Sequence, residues 1–285
     1  MHAEEIDNLL QSETRAFRYL VRFCWKNHQR FCPRCRHRKT YKLRDQRRRC
    51  ARCGYTFHDF SGRWINNGGL ACRQWLQIIT FFAMDYTVLA MSRELNLAYN
   101  TVYKAVTTLR CAIAANANDA RTFFSMQQRV FSASRGRMVP SHQDKATTPV
   151  PIFGIREHAD QATATLLPGI FPKTAFNFHH DPGLQIGQLG KIFFTSPYQE
   201  YDALLFCTHV PPPCPINPTM NLGKPASVKG SFVRFALEHT RRCKGLSPER
   251  FPLYIKELEF RFNNRTRVLL PLIAELACGF VPNLE

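Results

Sequence analysis

Two cysteine pairs do most to limit what this 285-residue chain can fold into. Cys32-Pro33-Arg34-Cys35 and Cys50-Ala51-Arg52-Cys53 are separated by the 14 residues 36–49. A CxxC pair turns two sulfurs toward one point, and the intervening residues are long enough to run out and back as a hairpin. The second pair then lies opposite the first. Four thiolates complete a tetrahedron, which satisfies a structural Zn²⁺ and leaves no position open for a catalytic water. The spacing therefore predicts a zinc ribbon over 31–60 with Cys32, Cys35, Cys50 and Cys53 as ligands, in preference to disulfides or unliganded thiols. His58 follows closely enough to offer a fifth ligand, but four thiolates suffice, and it reads as an ordinary side chain.

The same stretch concentrates positive charge. Between Lys26 and Arg52 stand 12 Lys or Arg and a single acid, Asp45. A charge run is often only a solvated face, yet this one is placed on a metal-fixed hairpin, which favours a surface for phosphates. The whole chain carries a net charge of +18, as expected for a partner of polyanions. The other seven cysteines (Cys24, Cys72, Cys111, Cys207, Cys214, Cys243 and Cys278) are scattered singly among apolar residues. They read as core thiols in a reducing compartment rather than as a disulfide framework. Met1–Glu13 is polar and acidic, unlike a secretory signal, and the most apolar run, 76–91, is interrupted by Asp85. A soluble, cytoplasmic, nucleoid-associated protein with no membrane partner is expected.

Along the chain, Ser12 caps a helix over 12–24 whose Phe17, Leu20, Val21 and Cys24 share one face. Tyr55–Phe60 alternates as a closing strand. Trp75, Ile78, Ile79 and Phe82 then mark an amphipathic helix. Thr87 caps a second helix with Val88, Met91 and Leu95 inward, and after a break at Asn96-Leu97 a third buries Val102, Ala105, Val106 and Leu109. Tyr99, Asn100, Tyr103, Lys104 and Thr107 are left outside. Helix, short turn and helix with polar and aromatic residues on the free face is the layout of a helix-turn-helix, and any small helical bundle would show it too. The adjacent basic ribbon favours DNA recognition. Residues 115–149 read as a linker. A hairpin is predicted from 150–156 and 162–167, a buried strand at 191–195, loop through the proline-dense 209–225, and helices over 232–243 and 252–278.

These motifs carry a resemblance. The ribbon with YTFHDFSGRWINN (55–67), LAYNTVYKAVTTLR (97–110) and GLSPERFPLYIKELEFRFNNR (245–265) together resemble zinc-ribbon-headed DDE transposases of bacterial insertion sequences. The resemblance implies a zinc ribbon and helix-turn-helix ahead of a ribonuclease-H-like domain, in which three acids gather two Mg²⁺ or Mn²⁺ ions for DNA strand transfer. It places the first acid near 130–135, where the chain has Phe131-Ser132-Ala133-Ser134. The second falls at Thr195-Ser196 and the third at Ser227-Val228-Lys229-Gly230. None of these residues is acidic, so the catalytic residues are left unassigned. Asp144, Asp160, Glu200, Asp202 and Glu238 are nearby acids whose spacing does not make a triad. Glu257 and Glu259 read with Arg261 as helix-stabilising pairs, and Asn263, Asn264 and Arg265 as candidate DNA contacts.

The sequence thus predicts an α+β multidomain protein. It comprises an N-terminal helical segment (1–30), a zinc ribbon (31–60), a helix-turn-helix DNA-binding domain (61–118), a linker (119–149) and a degenerate ribonuclease-H-like α/β domain (150–285). DNA contacts are expected from Arg47, Arg48 and Arg49 on phosphates and from Tyr99, Asn100, Thr101, Tyr103 and Lys104 on the third helix. The expected partners are the terminal inverted repeats of an insertion sequence, with self-association on DNA. A DNA-binding remnant or regulator and a protein-binding zinc module are the rival readings. The missing acids bear on the former, and the 12-to-1 charge ratio counts against the latter.

Overall fold

The computed structural model describes residues 3–66, 69–126, 151–167, 176–178, 184–186, 189–198, 201–207, 216–218, 231–242 and 250–282. The chain begins with two helices, α1 (Ala3–Leu10) and α2 (Glu13–Cys24). Ser12 caps α2 as expected, its hydroxyl accepting from the Arg15 N–H at 3.2 Å. A three-stranded antiparallel ribbon follows, of β1 (Thr40–Lys42), β2 (Arg48–Cys50) and β3 (Thr56–Phe57). Three helices come next, α3 (Cys72–Ala83), α4 (Val88–Glu94) and α5 (Tyr99–Ala114). Thr87 caps α4 through the Ala90 N–H at 3.2 Å. Glu13, at the start of α2, accepts from the Cys72 and Arg73 N–H groups at 2.7 and 3.0 Å. A carboxylate thus meets the positive end of α3 and fixes its angle to α2.

The segment expected as a linker opens with packed structure. Helix α6 (Ala120–Met126) buries Phe123 and Phe124. The expected hairpin forms as β4 (Ile152–His158) and β5 (Gln161–Leu167), with Ile152 opposite Leu167. The remaining described strands are β6 (Phe176–Phe178), β7 (Leu184–Ile186), β8 (Gly190–Tyr198), β9 (Tyr201–Phe206) and β10 (Ile216–Pro218). The sheet order is β10-β6-β8-β9-β4-β5, with β7 also paired to β8. Residues 216–218 lie in the proline-dense stretch expected to be loop, but they pair at the sheet edge, where Pro218 is tolerated. Gly154 on β4 leaves room for the Tyr201 ring, since a Cβ there would come within 2.6 Å of it. Three helices end the described chain, α7 (Ser231–Arg242), α8 (Phe251–Asn263) and α9 (Leu269–Ala277).

Among the described strands of the large sheet, every pairing is antiparallel except that of β10 with β6. Strands come as a run and helices follow, which is α+β order, whereas an α/β domain alternates them around parallel strands. The described part of 150–285 therefore has the α+β order expected of the chain, on a largely antiparallel sheet.

Two cores are built, and neither belongs to one of the expected segments alone. The first gathers Leu20, Trp75, Leu76, Ile79, Val102 and Val106 with Leu270, Ile273 and Ala274 from α9. The second places Phe153, Ile155, Leu205, Phe232, Phe251 and Phe262 against Cys111 and Ala112 of α5. Helix α5 thus serves the first core along its length, through Val102, Val106, Leu109 and Ile113, and the second near its C-terminal end, through Cys111, Ala112 and Ala114. Ionic groups buried between elements reinforce this. Glu257 on α8, 2% exposed, accepts from Arg110 of α5 at 2.6 Å and from Arg261 at 2.7 Å. Burial alone would raise its carboxyl, but the two guanidinium charges and their hydrogen bonds outweigh that and hold it low. Lys256 pairs with Asp119 at 2.7 Å and Glu259 at 3.0 Å. The i,i+4 pair Glu257–Arg261 is present as expected, but it is buried and tied to another helix rather than lying on a surface.

Arg63 closes the first core. It is 4% exposed, and its guanidinium donates to the Cys24 carbonyl at the end of α2, the Cys278 carbonyl at the end of α9 and the Asp59 carbonyl. Both helix ends carry partial negative charge and unpaired carbonyls, which a cation neutralises. Trp25 and Phe280 cover its faces at 4.5 and 4.0 Å. We expect Arg63→Met to destabilise the protein by about 3 kcal/mol, because several buried carbonyls lose a charged donor at once. Urea denaturation checks this, and a loss under about 1 kcal/mol would contradict it.

Candidate metal centre and nucleic-acid interface

Each CxxC pair forms a knuckle by the same hydrogen bonds. In the first, the Arg36 N–H donates to the Cys32 carbonyl at 2.9 Å and the Cys32 N–H to the His37 carbonyl at 2.9 Å. In the second, the Gly54 N–H donates to the Cys50 carbonyl at 3.1 Å and the Cys50 N–H to the Tyr55 carbonyl at 2.9 Å. Both turns end in a left-handed residue, Gly54 at φ +68° and Arg36 at φ +59°. Glycine takes that conformation freely, and a side chain there carries a steric cost. The Arg36 guanidinium is held over Phe31 and Phe280 at 5.2 and 5.0 Å, contacts that offset the cost.

The knuckles face each other as the spacing requires. All four Sγ atoms lie within 4.8 Å of one another, with Cys32–Cys53 at 3.6 Å and Cys35–Cys50 at 3.5 Å. Tetrahedral Zn–S bonds would set sulfurs about 3.8 Å apart, so the donor set fits Zn²⁺. Electrostatics favour a cation too. The Cys53 backbone N–H and then the Arg52 N–H bring the Cys50 thiol down to about 6 against the effect of desolvation. For Cys35 a bond from His37 lowers the thiol, but desolvation and its three thiol neighbours prevail and leave it raised to about 12. Four crowded thiols cannot all ionise without a positive charge among them. His58 stays out of the cluster; it is exposed, and its Nδ1 accepts from the Phe60 N–H at 3.2 Å. No other group of three potential metal ligands gathers among the described residues.

The metal would supply structure rather than chemistry. Between 31 and 60 the buried residues are Cys32, Cys50 and Phe57, too few to hold a fold by apolar burial. Around the site Arg34, Arg38, Lys39, Lys42, Arg44, Arg49 and Arg52 are exposed. The three arginines singled out by sequence differ in what they touch. Arg49 is exposed. Arg48 is half-buried and donates to Thr40 Oγ1 at 3.3 Å. Arg47 is exposed, but its side chain and backbone N–H both bond Asp45, whose carboxyl is held low chiefly by that side chain. The one acid of the run is therefore already engaged.

On α5 the structure divides the expected contacts. Tyr99, Asn100 and Lys104 are exposed and Thr101 is half-buried. Tyr103 is half-buried between the Tyr99 ring, stacked at 5.9 Å, and the Arg250 guanidinium at 4.4 Å. Thr107, expected on the free face, is 8% exposed and donates to the Tyr103 carbonyl at 2.8 Å. The i,i+4 stripe of these three residues runs under the start of α8, which covers its inner end.

Other candidates are placed elsewhere. Asn263 grips the β-hairpin, with Oδ1 accepting from the Ala162 N–H at 2.8 Å and Nδ2 donating to its carbonyl at 2.7 Å. Arg265 holds Asp160 at 2.9 Å. Asn264 donates to the Phe260 carbonyl at 2.9 Å. All three therefore serve the fold. Asp202 accepts from the Glu157 N–H at 2.9 Å, and Glu238 is exposed. Of the positions matched to catalytic acids, 195–196 lie on β8. Residues 130–135 and 227–230, like Asp144 and Glu200, lie outside the described residues. Sequence reasoning missed the Asp59 network, in which the Asp59 carboxylate accepts from Arg30 at 2.7 Å and from the Trp25 indole at 2.8 Å. Its only signal was a lone Arg63 between Gly62 and Trp64, outside the basic run.

A four-cysteine ribbon joined to a compact helical unit defines the class. Residues 11–56 match the family model of the transposase zinc-ribbon domain. Over 100 residues the chain is 30% identical to an uncharacterized protein in transposable element ISH50 of Halobacterium salinarum. That alignment covers 33% of this chain and 34% of the relative, so the chain spans about a third of the length of the protein it matches. Both similarities lie with insertion-sequence elements, in agreement with the resemblance drawn from the motifs. No solved structure matches the chain. No helix among the described residues is long and apolar enough to cross a membrane.

Zinc should bind at one ion per chain through the four cysteines. Structural zinc in small peptides contributes roughly 10–16 kcal/mol apparent near neutral pH. Cys50→Ser should lose the metal and unfold residues 30–60 while the sheet stays folded. Elemental analysis and hydrogen exchange check this, and protein purified without chelator yet lacking zinc would contradict it.

Proposed function

We propose that the chain binds DNA as the end-recognition portion of an insertion-sequence transposase. In this proposal the ribbon lies on phosphates and the start of α5 enters the major groove. The observation that carries the proposal is the exposed basic hairpin held on a four-cysteine centre. A flexible basic tail would lose much of its attraction to ordering entropy, and a metal-fixed one does not. Helices α4 and α5 with the Asn96-Leu97 break support a helix-turn-helix, and Asn100 is the residue suited to bidentate contact with adenine. Arg49 is the foremost phosphate contact of the three neighbouring arginines, because Arg47 is engaged by Asp45. Self-association on DNA would follow if two element ends are held together.

Strand transfer is not assigned to this chain. That activity needs carboxylates to hold two divalent ions, and Ala133 or Ser134, Ser196 and Gly230 offer none where the resemblance places them. The ribonuclease-H-like assignment for 150–285 likewise rests on the resemblance. DNA binding without cleavage is the function proposed.

Binding of duplexes taken from the DNA flanking the coding sequence tests the reading. Asn100→Ala should cost about 1–3 kcal/mol on the preferred sequence and little on others. Changing Arg47, Arg48 and Arg49 to Gln should weaken all sequences alike and flatten the salt slope by about 0.9 for each phosphate no longer neutralised. Specificity unchanged by Asn100→Ala would count against the α5 assignment. The same protein should leave these duplexes uncut in Mn²⁺, and nicking abolished by Asp202→Ala or Glu238→Ala would overturn that part.

A further inference from the structure

A cleft of 510 Å³ opens between the first knuckle and the C-terminal ends of α2 and α9. Its size is within the range of small-ligand sites. Four arginines line it, Arg30, Arg36, Arg38 and Arg63, against one carboxylate, Glu275. Arg30 is neutralised by Asp59 and Arg63 by helix-end carbonyls. Arg36 and Arg38 remain, and neither makes an ion pair with a described carboxylate. The cleft therefore favours an anion.

Its walls ask for more than an anion. Phe31 and Phe280 lie 5.8 Å apart at its side, both half-buried, with the Arg36 guanidinium against them. Planar guanidinium and aromatic surfaces are what unstacked bases lie on. Asn27 and Gln29 add exposed amides at the mouth, with donors and acceptors for a base edge. A bare phosphate would use the charge and leave the amides and the planar face of Arg36, backed by the two rings, idle, and a duplex is too large for a space of this volume. We infer that the cleft holds one unstacked nucleotide, its phosphate on Arg38 and its base against Arg36 and the two phenylalanines. The inference rests on the DNA-binding proposal and adds a second contact, suited to the frayed or unpaired end of a strand.

The full zinc-loaded chain is titrated by anisotropy with a labelled blunt duplex and with the same duplex bearing one unpaired nucleotide. The unpaired nucleotide should tighten binding about tenfold, and free deoxyadenosine monophosphate should compete that gain away where inorganic phosphate at equal concentration does not. Arg36→Gly with Arg38→Gln should bring the two duplexes to equal affinity, whatever both lose together through the hairpin's phosphate contacts. Glycine suits the left-handed backbone at 36, and Arg38→Gln alone, on the surface, serves if the pair does not fold. Equal affinity for both duplexes, a gain that survives the substitutions, or equal competition by phosphate would overturn the inference. Failure to bind either duplex would instead remove the DNA-binding proposal, and this inference with it.

Discussion

A single buried guanidinium sets how this chain is assembled. Arg63 sits where α2 ends, where the ribbon rejoins the helices and where α9 ends, and it donates to backbone carbonyls from all three places. Desolvation lowers its pKa, yet a guanidinium stays protonated under ordinary conditions and must be fed acceptors. The acceptors available are the carbonyls that two helix C-termini leave unpaired. The end of α9 is therefore bound near the first knuckle, and residues 62–64 pair with 279–281 beside it. Through that junction the ribbon, which buries little of its own, gains a fixed seat.

From this seat the geometry of the proposed nucleic-acid face follows. A metal on the four cysteines would hold the hairpin's shape, and Arg63 with Asp59 and Arg30 holds its base. Helix α5 carries the candidate reading residues at its start, while its other end is clamped by Arg110 to Glu257 of α8. A load on Asn100 or Lys104 is thus borne by both cores. DNA bound as proposed at the ribbon or α5 would meet packed elements, so little ordering entropy would oppose it.

The local elements were legible because each is specified by neighbours in sequence. Two CxxC pairs announced the metal centre, Ser12 and Thr87 announced helix starts, and Val102, Ala105, Val106 and Leu109 announced the inner face of α5. What periodicity could not convey is which second surface a helix meets. Thr107 and Tyr103 lie on the polar side of α5 by pattern, and only the arrival of Arg250, 143 residues beyond Thr107, covers them. Asn263 and Arg265 looked available for DNA, but hold the β4–β5 hairpin across a separation of more than 100 residues. Across the expected division at 150 the same holds, since α9 packs into the core that α2 begins. Polar residues that bond distant backbone look the same in sequence as polar residues facing solvent.

Hydrogen exchange on the zinc-loaded protein, with and without a duplex from the DNA flanking its coding sequence, bears most directly on the central claim that ribbon and α5 act as one DNA-binding unit. The account predicts that added duplex slows exchange together over the hairpin 36–49 and the start of α5 at 99–104, with the β-sheet unchanged. Slowing confined to the sheet, or found at one of those two segments without the other, would contradict it.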